Sequence, residues 1–283
     1  MTTGKQLADR LIAQVKPYGS CAVAFSAGVD STVVAKAARV ALGDRAAAVT
    51  GVGPALAEGE LEAARRLAAL IGIRHVEAET GEIESPGYTA NAPDRCFHCK
   101  TELYDHVRRV AGELSIDVIA NGANADDRGD YRPGMIAAAD FGVRSPLLEC
   151  GLAKADVRRL AEHWSLPVAD KPAAPCLASR IAYGVEVTPE RLRQIDLAEQ
   201  YLRSLGLREV RVRLHEGELA RVEAPESEVA RLCEPANRRG VVERLSRLGF
   251  RFVTIDLAGF RSGSLNALVP LEALAASSNR PKR

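Results

Sequence analysis

Apolar and polar positions alternate along the first part of the chain in two rhythms. Short apolar runs predict strands at Cys21-Ala22-Val23-Ala24-Phe25, Ala46-Ala47-Ala48-Val49-Thr50, 73–76 and Asp117-Val118-Ile119-Ala120. Between them, apolar residues recur at helical spacing. This predicts helices over 30–42, along a face marked by Leu61, Leu67, Leu70 and Ile71, and over 100–114 and 154–163. Strands alternating with helices build an α/β fold: a parallel sheet with helices on both faces, binding ligands beyond the carboxyl ends of its strands.

The rhythm breaks over 168–187. Asp170-Lys171-Pro172-Ala173-Ala174-Pro175-Cys176 is too rich in proline for a helix or a central strand. A loop this long inside a compact protein usually carries function. Beyond it, Pro189 opens a helix over 189–205, and Val210-Arg211-Val212-Arg213-Leu214 alternates with period two as a half-buried strand. Segments 219–222, 238–248 and 252–257 complete the pattern. The expected organisation is an α/β domain over 1–167, a cysteine-bearing linker over 168–187 and a small C-terminal α+β domain over 188–283.

Composition narrows the function classes. Lys and Arg number 38 against 37 Asp and Glu, a net charge of +1, which argues against nucleic acid and against a basic membrane surface as partner. The first ten residues lack the apolar stretch of a secretory leader, and no run approaches the roughly 18 apolar residues of a membrane span. A cytoplasmic protein with reduced thiols, no membrane association and a small-molecule substrate is expected. Six cysteines in 283 residues are too few for a disulfide scaffold, so their placement matters more than their number.

Ser26-Ala27-Gly28-Val29-Asp30-Ser31-Thr32 follows a strand and opens a helix. Small residues let a phosphate approach the backbone, and the N–H groups of a helix N-terminus point at it. The loop lacks the Gly-Lys-Ser/Thr of a Walker A motif. It resembles the PP-loop, Ser-Gly-Gly-x-Asp-Ser, of ATP pyrophosphatases, with Ala27 standing at a glycine of that pattern. Further along come Arg95-Cys96-Phe97-His98-Cys99-Lys100, Asn121-Gly122-Ala123-Asn124-Ala125-Asp126-Asp127, Asp130-Tyr131-Arg132-Pro133-Gly134, Pro175-Cys176-Leu177-Ala178-Ser179-Arg180 and Arg261-Ser262-Gly263-Ser264. In this order they resemble the LarE family, ATP-dependent sulfur transferases that build the nickel-pincer nucleotide cofactor of lactate racemase. The likeness runs to about residue 268.

The resemblance implies an adenine-nucleotide-hydrolase-like fold, a homo-oligomer, and ATP with Mg²⁺ as cofactors. ATP would be met by Ser26, Gly28, Val29, Asp30, Ser31, Thr32, Asn121, Gly122 and Asp127, with Asp30 on the magnesium or phosphate side. Asp126 and Asp127 would hold a second metal or substrate, or else cap the next helix. In the family ATP adenylylates a carboxylate of a pyridinium dicarboxylate mononucleotide. Cys176 would then attack the acyl-adenylate and give up its sulfur, leaving dehydroalanine. Nearby cationic groups favour the thiolate such a role needs.

Cys96 and Cys99 form a C-x-x-C pair with no matching second pair. With Cys176 they resemble the three-cysteine sulfur transferases of this fold, which hold a [4Fe–4S] cluster with one iron open for sulfide. Sacrifice of Cys176, a cluster-held sulfide, a resting disulfide and adventitious zinc all stay open. Cys21, Cys150 and Cys233 read as structural, His98 as an exposed loop residue and Trp164 as packing. Arg211 and Arg213, two apart on a strand, suit a phosphate or carboxylate. Ser179, Arg180 and Arg261 join them as substrate-binding candidates, with Glu199 orienting the arginines.

Two other classes compete. A PP-loop tRNA thiolase would need an RNA-binding surface that charge and composition do not provide. A non-catalytic nucleotide-binding regulator draws its support from Ala27 alone. An amidotransferase synthetase is weaker still, for want of a glutaminase segment.

Overall fold

The computed structural model describes residues 2–127, 133–172 and 174–261. Asp130, Tyr131 and Arg132, with Ser262, Gly263 and Ser264, lie outside the described residues. The chain forms two compact units: 1–53, 58–82 and 96–174 in the first, and 54–57, 83–95 and 175–283 in the second. The expected domains are contiguous; these units are not, because the stretches that follow the second and third strands belong to the second unit. No described helix is long and apolar enough to cross a membrane.

In chain order the elements are α1 (Gly4–Val15), β1 (Cys21–Ala24), α2 (Val29–Leu42), β2 (Ala46–Val52), α3 (Glu60–Ile71) and β3 (Arg74–Glu79). Then follow α4 (Pro86–Thr89), α5 (Arg95–Glu113), β4 (Val118–Ala120), α6 (Pro133–Asp140), α7 (Pro146–Glu149) and α8 (Lys154–His163). The remainder comprises α9 (Pro189–Ser204), β5 (Arg211–His215), β6 (Leu219–Glu223), α10 (Glu226–Cys233), α11 (Pro235–Arg247) and β7 (Phe252–Ile255).

The first unit is a doubly covered parallel sheet of order β3-β2-β1-β4. Alternation along the strands assigns the faces. Cys21 and Val23 join Leu11, Val33, Val34 and Leu160 in one core cluster. Ala22 and Val49 join Tyr104, Val107 and Ile119 in the other. Alanine-rich β2 works as a central strand because helices bury both faces, so small side chains suffice. Thr3 and Gln6 cap α1 reciprocally, a start signal the apolar pattern alone does not reveal. Two expectations need correction. Leu70 is 59% exposed, and α3 buries Ala64, Leu67, Ala68 and Ile71 instead. Helix α5 begins at Arg95, so the C-x-x-C pair and His98 are helical and His98 is half-buried, its ring edge-on to Phe97.

The second unit holds a three-stranded sheet, β5-β6-β7, with β5 antiparallel to β6 and β6 parallel to β7. Strand β5 is fully buried from Arg211 to Leu214, rather than half-buried. Its free edge is taken by the loop before α9, through a bridge between Ile181 and Leu214, and α9 packs against it. That leaves no face of β5 for solvent, so its arginines are internal.

Candidate active site

The first unit places the candidate phosphate loop, residues 26–32, between β1 and α2. Gly28 caps α2 in extended conformation, and Thr32 and Ser31 donate their hydroxyls to its carbonyl at 2.8 and 3.2 Å. Ser31 Oγ also accepts from Ser26 N at 3.2 Å, which closes the loop over the helix end. The first amides of α2 have no intrahelical acceptor and carry the positive end of the helix dipole. From beneath, Thr50 Oγ donates to the Phe25 carbonyl at 2.8 Å and lies 2.8 Å from His75 Nε2, a ring that burial pushes below the usual histidine pKa. Ala27 adopts φ +55° with its methyl fully buried, so the glycine of the family pattern is replaced without opening the loop.

Asn121 and Gly122 follow β4 and meet this loop. A methyl on Gly122 would stand 2.8 Å from Ser31 N and 3.1 Å from Asp30 Cβ, so only glycine lets the two backbones touch. Asp30 accepts from Asn124 Nδ2 at 3.1 Å and pairs with Lys154, the first residue of α8. Asp126 accepts the Lys154 amide and Asp127 the Asn124 amide, both at 2.9 Å. Both aspartates therefore cap backbone. Lys171 adds a second cation, 2.8 Å from Glu60 Oε2 and 3.4 Å from the Ala27 carbonyl.

Magnesium is commonly held by one or two carboxylates together with substrate phosphates. Asp30 fits that requirement as a single carboxylate beside the loop. Among the described residues no three His, Cys, Asp or Glu side chains gather as a metal site. Cys96 is exposed and Cys99 partly exposed, on one face of the first turn of α5.

In the second unit Cys176 is exposed and stands at the start of a single 3₁₀ turn, Leu177–Arg180. The turn is held from several sides. Ser179 Oγ donates to the Cys176 carbonyl at 2.7 Å, and Arg180 donates to the carbonyls of Pro175 and Cys176. Arg95 donates to the Ala178 carbonyl at 2.8 Å. Asn91, at φ +52° and fully buried, donates to the carbonyls of Ala182 and Val185 at 2.8 and 2.7 Å. Arg180 thus spends its donors on backbone and on Glu199, and serves to hold the turn.

Arg180, Arg211 and Arg213 are buried with Glu199 and Glu223. Glu199 binds Arg180 at 3.0 Å, Arg203 at 2.7 Å and the Val212 amide at 3.1 Å. Glu223 binds Arg213 at 2.8 Å and Arg221 at 3.2 Å. Arg213 also donates to the Ser179 carbonyl at 3.0 Å. Arg211 lies over the Phe260 ring, 5.3 Å from its centre. Burial, and then the neighbouring Arg180 charge, pull Arg211 below the usual arginine pKa. An environment hostile to one more cation is favourable to an anion. Arg261 is exposed and reaches Asp256 at 3.6 Å.

The remaining cysteines divide. Cys21 and Cys150 are buried, and burial pushes the Cys21 thiol up to about 12. Cys233 is exposed on the last turn of α10, so it is not a core residue. Trp164 packs against the main core at the end of α8. Sequence reasoning missed Lys154, Lys171, Asn91, Arg95 and Glu223. Lys154, Lys171, Asn91 and Arg95 have partners far along the chain, whereas Glu223 meets Arg213 and Arg221 within its own sheet.

No model of a known protein family matches the chain. It is 44% identical over 247 residues to an uncharacterized protein of Synechocystis sp., spanning 87% of this chain and 92% of that protein. It is 27% identical over 172 residues to an uncharacterized protein of Methanocaldococcus jannaschii, spanning 61% and 66% of the two. The pyridinium-3,5-bisthiocarboxylic acid mononucleotide synthase of Lactiplantibacillus plantarum is 37% identical over 267 residues, 94% of this chain and 95% of the synthase. Identity of that degree along nearly the whole of both chains joins this protein to the group its motifs resemble: it belongs to the LarE family.

Proposed function

We propose that the chain is a cytoplasmic, ATP-dependent sulfur transferase that converts carboxylates of a pyridinium-3,5-dicarboxylate mononucleotide to thiocarboxylates. The near full-length identity to the Lactiplantibacillus plantarum synthase carries this reading. ATP binds at the phosphate loop of Ser26, Gly28, Val29, Asp30, Ser31 and Thr32, with Asn121 and Gly122 beside it. Asp30 would hold magnesium, which would neutralise phosphate charge. A substrate carboxylate oxygen attacks the α-phosphorus and pyrophosphate leaves. The loop amides and helix dipole stabilise the charge that develops on the departing group. The anion-favouring cluster of Arg211 and Arg213 receives the substrate's phosphate or its second carboxylate.

Cys176, exposed on a turn braced by Arg95, Arg180 and Ser179, is the sulfur donor. Its thiolate attacks the acyl carbon and displaces AMP, giving a thioester. Loss of the Cα proton then breaks the Cβ–S bond. The sulfur departs with the product as a thiocarboxylate and dehydroalanine remains. A second reading draws on the exposure of Cys96 and Cys99: with Cys176 they would hold a [4Fe–4S] cluster, which supplies an exchangeable sulfide.

Anaerobic incubation with ATP, magnesium and the mononucleotide tests both. Mass spectrometry should find residue 176 short of one sulfur and two hydrogens, matched by one sulfur gained in the product. Intact Cys176 after turnover, with stoichiometric iron and sulfide, would establish the cluster instead. Failure to release pyrophosphate would reject the function.

A further inference from the structure

Lys171 is a half-buried cation beside the 26–32 loop that the chemistry so far leaves without a task. Its ammonium rests 2.8 Å from Glu60 and 3.4 Å from the Ala27 carbonyl, with 23% of the side chain exposed. We propose that Lys171 binds the β- and γ-phosphates of ATP, giving up Glu60 to do so. This rests on the reading of the loop as an ATP site.

Three observations support it. First, the lysine already touches the loop's own backbone, so little movement separates it from a phosphate held there. Second, its stem is flexible and its charge compact, which suits exchange between two anionic partners. Third, Glu60 is the first residue of α3, where the helix dipole stabilises a carboxylate after its lysine has left. Lys154 is placed differently. Its carboxylate partner, Asp30, sits in the first turn of α2, on the loop itself.

The chemistry requires such a group. When the substrate oxygen bonds to the α-phosphorus, the bond to the bridging oxygen breaks and its electron pair remains on pyrophosphate. The leaving group gains one negative charge, and Lys171 stabilises it without transferring a proton. The contribution is therefore larger for the triphosphate and for the transition state than for AMP.

Calorimetry and pyrophosphate release on the full chain test the assignment, with AMP and α,β-methylene-ATP as probes. Lys171→Gln should weaken α,β-methylene-ATP by about tenfold or more while AMP binding changes less than about twofold. It should slow pyrophosphate release by about a hundredfold, with partial recovery in Lys171→Arg. Glu60→Gln removes the competing carboxylate and should tighten α,β-methylene-ATP, which keeps the assignment testable even if Lys171→Gln folds poorly. Equal losses for both probes, or no loss for either, would overturn it while wild-type pyrophosphate release upholds the ATP site. A wild-type chain that binds neither probe would reject the ATP reading and this assignment together.

Discussion

Gly122 lies so close to Ser31 that a single methyl group on it would come within 2.8 Å of the Ser31 amide nitrogen. The contact joins the end of β4 to the start of α2 and fixes where the loop's amides point. Gly122→Ala is expected to destabilise the fold by about 1–3 kcal/mol, the usual cost of overpacking. It should remove pyrophosphate release more completely than stability alone explains. A urea melt run beside an adenylylation assay checks both; unchanged activity would mean that the close approach is incidental.

Ala27 poses the opposite question, because it already carries the side chain that its family pattern omits. A left-handed backbone costs an ordinary residue about 1–2 kcal/mol, which glycine avoids. The methyl, fully buried here, returns about 0.8 kcal/mol. The two effects nearly cancel, so Ala27→Gly should change stability by less than about 1 kcal/mol and leave ATP binding intact. A thermal melt with nucleotide titration checks this, and a large loss of binding would show the methyl to be required.

Glu199 has no solvent exposure, and its oxygens serve Arg180, Arg203 and the Val212 amide. Glu199→Gln leaves Arg180 buried without its charge partner and is expected to cost about 3–5 kcal/mol. Arg203→Gln, at a side chain 37% exposed, should cost about 1 kcal/mol or less. Chemical denaturation of the two variants gives the comparison, and equal losses would contradict the cluster's design.

Glu149 predicts a pH dependence. Hydrogen bonds from Arg144, with help from the Ser145 amide and Tyr18, hold its pKa at about 2, against the opposing effect of burial. Its folded value lies below its unfolded one, so the stability it contributes is present above the ordinary carboxylate range, about 4.3, and is lost as pH falls toward 2. Glu149→Gln should melt below wild type at pH 7, and the gap should close through the acid range. A constant gap across pH would assign the effect to packing.

Strands β1, β2 and β4 of the first unit are legible in sequence because each is a short apolar run beside a periodic helix, while β3, Arg-His-Val-Glu-Ala-Glu, is mostly polar and shows itself weakly. Lys154 to His163 is expected as a helix and observed as one. Residues 95–99 are not legible as helix, since Cys-Phe-His-Cys has no helical apolar face of its own. The covering of β5 is also hidden: Ile181 pairs with Leu214 across a separation that no local pattern records. The loop of residues 26–32 and Cys176 announce themselves as motifs. The groups that brace them, Lys171, Asn91 and Arg95, do not, because their meaning lies in a distant partner.

The scattered make-up of the second unit has a consequence for how the chain is made. Asn91 and Arg95 leave the ribosome some ninety residues before the carbonyls they bind, the separations to Ile181 and Ala178 being 90 and 83. Until residues 175–187 follow, the Asn91–Arg95 pair lacks the carbonyls of Ala178, Ile181, Ala182 and Val185 that it binds in the folded chain. A chain stopped at residue 174 is therefore a first unit carrying two stretches of the second, and synthesis must pass Glu199 and Arg213 before the turn bearing Cys176 has all its braces.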